Sequence, residues 1–263
     1  MPFAPIDGGE LYYESEGTGP PLLLVPGLGG VGAFWRLQAA AWRERFTVVV
    51  HDHRGTGRST RTVGGYSVDR MADDVLALMD HLGLARADCV GHSTGGAIGQ
   101  RLAVRAPARI GRLVLSSTWT HCDAFFRRVF EIRKRVLLEL GPEAYTRLGT
   151  LFLHDPDWVA RNATALAVLE RAAIDAFPPV EIVAQRIDAI CAFDGRADLA
   201  RIAAPTLAIC AVDDMVTPVY FSRAIAAAIP GARLVELAGG GHFCPVARAD
   251  DYNRAVGAFL DGG

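Results

Sequence analysis

Gly91-His92-Ser93-Thr94-Gly95 follows the apolar run Ala87-Asp88-Cys89-Val90 and precedes a helix-compatible run from Gly96 to Val104. Strand, sharp turn and helix, in that order, are the context in which Gly-x-Ser-x-Gly reads as a nucleophile elbow. Glycines at 91 and 95 remove the Cβ atoms that would collide where strand and helix approach, and they tolerate unusual backbone angles. The serine hydroxyl then stands above a sheet at a helix N-terminus, where N–H groups and the helix dipole favour developing negative charge. Five residues rich in Gly and Ser recur by chance, so the meaning of the motif depends on its surroundings.

Upstream, the apolar positions Val68, Met71, Ala72, Val75, Met79 and Leu82 have helical spacing. Ser67 is the expected N-cap, and Gly83 lies just past the end. Phe46-Thr47-Val48-Val49-Val50 is an expected strand, and a helical stretch precedes it from about Phe34 to Arg45. Pro21-Leu22-Leu23-Leu24-Val25-Pro26 is a continuous apolar run, the pattern of a strand buried on both faces of a parallel sheet. Phe3 to Ile6 and Leu11 to Ser15 flank a Gly-Gly turn and read as a hairpin. Downstream, Leu113 to Ser116 is another strand. Strand–helix alternation stops near Trp119, and about 70 residues of helix-like pattern follow, which read as an inserted cap. Strands resume at Thr206-Leu207-Ala208-Ile209-Cys210 and Arg233-Leu234-Val235-Glu236-Leu237, and a last helix runs from about Asp250 to Leu260. The expected division is 1–118 and 196–263 for the two parts of an α/β core and 119–195 for the cap. Reactive groups in such a sheet gather at the carboxyl ends of the strands.

The chain has 263 residues, 51% of them hydrophobic, and a formal net charge of −2. This supports a sizeable core and gives no electrostatic reason to expect nucleic acid or an anionic membrane. Five cysteines, an odd number without a C-x-x-C pair, fit buried thiols in a reducing compartment. Met1-Pro2-Phe3-Ala4-Pro5 has no basic or apolar leader pattern, and no apolar run nears the ~20 residues that span a bilayer. A soluble, cytoplasmic protein acting on a small molecule is the expectation, with a homodimer compatible.

A serine hydroxyl needs a base, and the base needs an orienting group. Asp213-Asp214-Met215-Val216-Thr217-Pro218 follows one late strand and Gly239-Gly240-Gly241-His242-Phe243 follows the next. The order Ser, acid, His is the one expected for an elbow serine. Either aspartate fits the position. Ser59, Ser116 and Ser117 are rival hydroxyls without an elbow. His51-Asp52-His53 invites a metal reading, but alternate strand residues point to opposite faces, so the two rings are expected to diverge; no metal and no cofactor is expected. His92 is expected to pack beside the site.

On these motifs the chain resembles the α/β-hydrolases over nearly its whole length. The resemblance implies a mostly parallel eight-stranded sheet flanked by helices and a serine-hydrolase triad. The family's acid precedes a proline by four residues, which maps onto Asp214 before Pro218; the base maps onto His242. The resemblance also implies an oxyanion hole from the backbone N–H groups of Thr94 and Leu28. Pro26-Gly27 stands here where the family has a His-Gly pair, a change that spares a backbone donor. Asp52-x-Arg54-Gly55-x-Gly57-x-Ser59 matches a family signature that shapes the adjacent loop. The Pro26 to Gly30 loop, the His51 to Gly57 turn and the segment Phe152-Leu153-x-x-x-Pro156-x-Trp158 are similar to aminoacrylate hydrolases and to 3-oxoadipate enol-lactonases. Serine at the elbow argues against the dehalogenases and epoxide hydrolases of this fold, which use Asp there.

The implied activity is hydrolysis of a small ester, lactone or related acyl compound in a mostly apolar pocket under the cap. Trp119, Phe125, Phe152 and Trp158 are candidate pocket residues. Hydrolytic deamination, carbon–carbon bond hydrolysis or perhydrolysis on the same triad stays open, as does a ligand receptor with little turnover. Arg127 and Arg128 are the cap cations whose direction would bear on an anionic substrate.

Overall fold

The computed structural model describes residues 2–262. Eight strands form one sheet in the order β1-β2-β4-β3-β5-β6-β7-β8, with β1 Phe3–Ile6, β2 Gly9–Glu16, β3 Pro21–Val25, β4 Thr47–His51, β5 Ala87–His92, β6 Ile110–Ser116, β7 Thr206–Ala211 and β8 Arg233–Leu237. β1 pairs antiparallel with β2, and β2 with β4; every other pairing is parallel. The central strands are buried on both faces: Leu22 to Val25 and Thr206 to Ala211 are inaccessible along their lengths. This is why they read as unbroken apolar runs rather than as alternation.

Outside the segment between β6 and β7 the helices are α1 Arg36–Trp42, α2 Val68–His81, α3 Thr94–Arg105, α8 Val219–Ala228, α9 Cys244–Ala247 and α10 Ala249–Leu260; α4 Ala124–Leu153, α5 Pro156–Arg161, α6 Ala163–Asp175 and α7 Val180–Ala192 lie within it. Two apolar clusters lie on opposite faces of the sheet. One gathers Met71, Val75, Leu78 and Met79 of α2 with Ile98 and Leu102 of α3. The other gathers Trp35, Trp42, Tyr252 and Val256 against Leu22, Leu24 and Val90. Ser67 caps α2, its hydroxyl accepting from Arg70 N at 3.0 Å, and Gly83 takes φ +66° beyond the last turn. The expected helix at 34–45 is shorter, because Gly32–Trp35 winds as a 3-10 turn before α1.

Between β6 and β7 the chain makes four helices, α4 Ala124–Leu153, α5 Pro156–Arg161, α6 Ala163–Asp175 and α7 Val180–Ala192. α4 breaks at Gly141, whose φ of 84° and ψ of −177° are not helical, immediately before Pro142. An isolated bridge between His121 and Asp194 joins the two connections of this insertion to the core. Among the described residues no helix is long and apolar enough to cross a membrane.

Candidate active site

Ser93 sits between β5 and α3 with φ 53° and ψ −116°, a region L-residues rarely occupy. Its N–H donates to Ser116 O at 2.8 Å, and its carbonyl accepts from Thr118 Oγ1 at 2.8 Å. A Cβ at Gly91 would stand 2.2 Å from Gly95 O, and one at Gly95 would stand 2.0 Å from Val25 O. The two glycines are therefore needed for strand and helix to pack at this distance. The rival serines have structural bonds instead. Ser59 Oγ donates to Asp52 O at 2.6 Å, Ser116 Oγ faces His92 Nδ1 at 3.2 Å, and Ser117 Oγ lies 3.7 Å from Cys244 Sγ.

The two adjacent aspartates separate completely. Asp213 is exposed and accepts the N–H groups of Gly241 at 2.9 Å and Gly240 at 3.3 Å, fixing the glycine loop. Asp214 is buried and faces His242, with Nδ1 2.9 Å from Oδ2 and 3.1 Å from Oδ1. The N–H groups of Val216 and Thr217 donate to Asp214 Oδ1 at 2.8 and 2.9 Å, and Thr217 Oγ1 donates to Oδ2 at 2.9 Å. A carboxylate bonded on this many sides holds one orientation, and the bond to it places the imidazole proton on Nδ1 and the lone pair on Nε2. Ser93, Asp214 and His242 come to the same edge from the ends of β5, β7 and β8. His242 lies next to the elbow: its ring is 4.8 Å from that of His92, the residue before Ser93. Among the described residues Ser93 Oγ makes no hydrogen bond, and His242 bonds only Asp214 and Thr217.

The loop after β3 folds over the elbow. Gly30 N donates to Gly27 O at 2.9 Å, closing a four-residue turn with Leu28 in its second position. A Cβ on Gly27 would come within 3.2 Å of Ser93 Cβ. Thr94 opens α3, and its Oγ1 is buried without a partner among the described residues. The neighbouring signature residues serve this loop: Asp52 Oδ1 accepts from Gly32 N at 2.8 Å, and Thr56 Oγ1 donates to Gly30 O at 2.8 Å. Arg54 is paired with the buried Asp74.

The surroundings contain more imidazole than the sequence reading anticipated. His92 stacks on Phe34 at 4.9 Å, and burial pushes its pKa well down, with His242 adding to the effect. His154, at the end of α4, stacks on Trp158 at 4.0 Å and meets the Phe243 ring edge-on at 5.2 Å. Burial lowers its pKa to about 4. The end of α4 touches the glycine loop directly, with Phe243 N donating to Leu153 O at 2.8 Å.

The candidate pocket residues divide. Trp158 lies beside His154, whose ring in turn meets Phe243, and Phe152 is partly buried against the main core. Trp119 is fully buried and stacks on Phe126 at 4.7 Å, whereas Phe125 is 41% exposed on the outer side of α4. Arg127 and Arg128 are exposed. The buried arginines of α4–α7 are Arg133, whose Nη2 donates to Tyr145 OH at 3.2 Å, and Arg186. Helical spacing could have found Arg186, since it shares a face with Ile182, Val183, Ile187 and Ile190. The expected divergence of His51 and His53 is wrong. Their rings lie 5.2 Å apart, because positions two apart on extended chain share a face. All five cysteines are free thiols.

Residues 20–246 match the family model described as alpha/beta hydrolase fold. The chain belongs to the α/β-hydrolase fold family. As a member of that family the chain is a hydrolase, and its curated relatives agree. It is 42% identical over 259 residues, 98% of each chain, to a protein of Azorhizobium caulinodans named "Putative carbamate hydrolase RutD". A protein of the same name from Caulobacter vibrioides is 41% identical over 268 residues, covering 100% of this chain and 98% of its own. Among solved α/β-hydrolase structures, the enol-lactonase of Burkholderia xenovorans superposes with a TM-score of 0.91 at 32% identity, covering 99% of this chain and 100% of the other.

Proposed function

We propose that this hydrolase cleaves a small acyl compound through a Ser93–His242–Asp214 triad and a covalent acyl-enzyme. His242 Nε2 takes the proton of Ser93 Oγ as the oxygen attacks the carbonyl carbon. Asp214 keeps the proton on Nδ1 and stabilises the imidazolium that forms. The tetrahedral oxyanion is met by the N–H groups of Leu28 and Thr94, each worth about 2.7–4 kcal/mol in sites of this kind. His242 returns its proton to the leaving group. It then activates water, which releases the acid and regenerates Ser93. The observation that carries this reading is the buried contact of 2.9 Å between His242 Nδ1 and an Asp214 carboxylate fixed by three further donors, beside a serine at a strained elbow.

A carbamate is the second substrate reading, favoured by the name of the relatives at 42% and 41% identity. An ester or lactone is favoured by the enol-lactonase likeness. Both break a bond to an acyl carbon and need the same groups. Turnover of p-nitrophenyl acetate, an enol-lactone and a carbamate by wild type and by Ser93→Ala tests the reading and ranks the substrates. Equal rates for the two proteins on every compound would remove the triad.

A further inference from the structure

Arg186 is a cation in the interior without a counter-ion. It is fully buried on α7, and among the described residues it forms no ion pair. Its guanidinium instead spans two loops of the core. Nη1 donates to Arg54 O at 2.8 Å, and Nη2 donates to Leu28 O at 2.9 Å and to His53 Nδ1 at 3.0 Å. Burial lowers its pKa to about 10, so it remains charged at neutral pH. Burying a guanidinium against neutral acceptors is costly, and packing alone would be served by an aliphatic side chain.

What the fork holds is specific. Leu28 occupies the second position of the Gly27 to Gly30 turn. Gly30 O is fixed by His53 N at 2.7 Å and by Thr56 Oγ1. These bonds anchor the far end of the turn, and those of Gly30 and Gly27 close it. The Leu28–Gly29 peptide in the middle is held only by Arg186 Nη2 among the described residues. A peptide free to rock there carries the neighbouring Gly27–Leu28 peptide, and its N–H, with it.

We propose that Arg186 is a positioning residue that aims the Leu28 N–H at the oxyanion and couples the cap helix α7 to the chemistry. The proposal rests on the reading of Leu28 as an oxyanion donor. A planar fork with two parallel donors fixes the spacing of Leu28 O and Arg54 O, which an ammonium cannot do. Because Arg186 belongs to the cap, withdrawal of α7 releases the loop. The oxyanion hole is then complete only when the cap is seated on the core.

A double-mutant cycle tests this. Leu28→Pro deletes the N–H at a turn position where proline is well accommodated. It should lower kcat/KM for p-nitrophenyl acetate by about 10²–10³. Arg186→Met should cost on the order of 100-fold, in kcat rather than KM, because a small misplacement of a catalytic group is expensive. In the Leu28→Pro background Arg186→Met should cost almost nothing more, while its effect on thermal stability persists. Arg186→Lys should recover only part of the lost rate; should Arg186→Met fail to fold, Arg186→Lys replaces it in the cycle. An equal rate loss in both backgrounds, or wild-type turnover in folded Arg186→Met, overturns the proposal. If Ser93→Ala or Leu28→Pro retains full activity, the reading of the site itself falls and takes the proposal with it; a loss in both with an unaffected Arg186→Met sinks only the role of Arg186.

Discussion

His51 and His154 are each held neutral by burial, which lowers both from the ordinary 6.5 to about 4. In the unfolded chain each returns to the ordinary value and takes up a proton as the pH falls through it. Between those two values the unfolded state therefore binds more protons than the fold. Stability is fully present above the unfolded pKa and is lost as the pH drops toward the folded one. Going from about pH 7 to about pH 5, each histidine should cost about 2 kcal/mol, and the pair about 4 kcal/mol. His53 and His92, lowered for the same reason, add in the same direction. Asp74, raised by burial, works against them. Asp194, held down to about 2 by Arg196, is lost only at lower pH and leaves this window clean. Because several groups contribute, the decisive quantity is a difference. In His51→Leu the fall in unfolding free energy over this range should shrink by about 2 kcal/mol, read from urea midpoints at constant m. An unchanged pH dependence in His51→Leu, or an NMR titration placing His51 near its ordinary value in the fold, would refute the reasoning.

The aspartates should be separable by kinetics. Asp214→Asn should cut kcat by an amount on the order of 10⁴, because the amide disturbs the imidazole tautomer. Asp213→Asn should lose far less, since one side-chain oxygen remains to accept from the loop; the two rates on p-nitrophenyl acetate decide it. Gly95→Ala should give no soluble folded protein, because its Cβ would lie 2.0 Å from Val25 O, backbone that cannot yield. A normal circular dichroism melt for that variant would contradict the packing argument. Trp158→Ala removes the ring stacked 4.0 Å from His154, and should raise KM with a smaller effect on kcat if the α4–α5 corner helps seat substrate.

How much of this was written in the sequence follows from how local each signal is. The strands of the parallel sheet were legible because burial on both faces forces an unbroken apolar run, as at Leu22 to Val25. Ser67 was legible because a cap bond spans three residues. The elbow was legible because the two glycines answer a clash within five residues. The order of elements placed Asp214 and His242 at the correct strand ends. The choice between Asp213 and Asp214 needed the proline spacing, and the structure shows why: adjacent side chains diverge, and only one faces the imidazole. What stayed hidden depends on partners distant in sequence. His154 lies 88 residues before His242, counted on the chain numbering, and reaches its neighbourhood only because the α4–α5 corner docks on the glycine loop. Trp119 and Phe125 looked alike as apolar aromatics, yet one is core and the other surface. Composition does not give the direction a helix turns in an insertion whose seat is set by tertiary contact.

That asymmetry bears on how such an enzyme acquires a substrate. The groups of the proposed triad stand at strand ends, and Ser116, Thr118, Asp213 and Thr217 hold the elbow, the glycine loop and the Asp214 carboxylate. None of them belongs to α4–α7. Change in the insertion can therefore alter what binds without moving the nucleophile or the acid. Two loops are exceptions, since Leu28 O takes its bond from α7 and Phe243 N, beside His242, gives its bond to Leu153 O of α4. An insertion that keeps the Leu153 contact but lacks the Arg186 fork should then keep the elbow and the His242–Asp214 contact yet lose rate on every substrate, good and poor alike. Restoring an arginine at that position should return the rate without restoring the original selectivity. If selectivity and rate instead return together, cap and loop are not separate layers, and the aromatic lining rather than the guanidinium sets both.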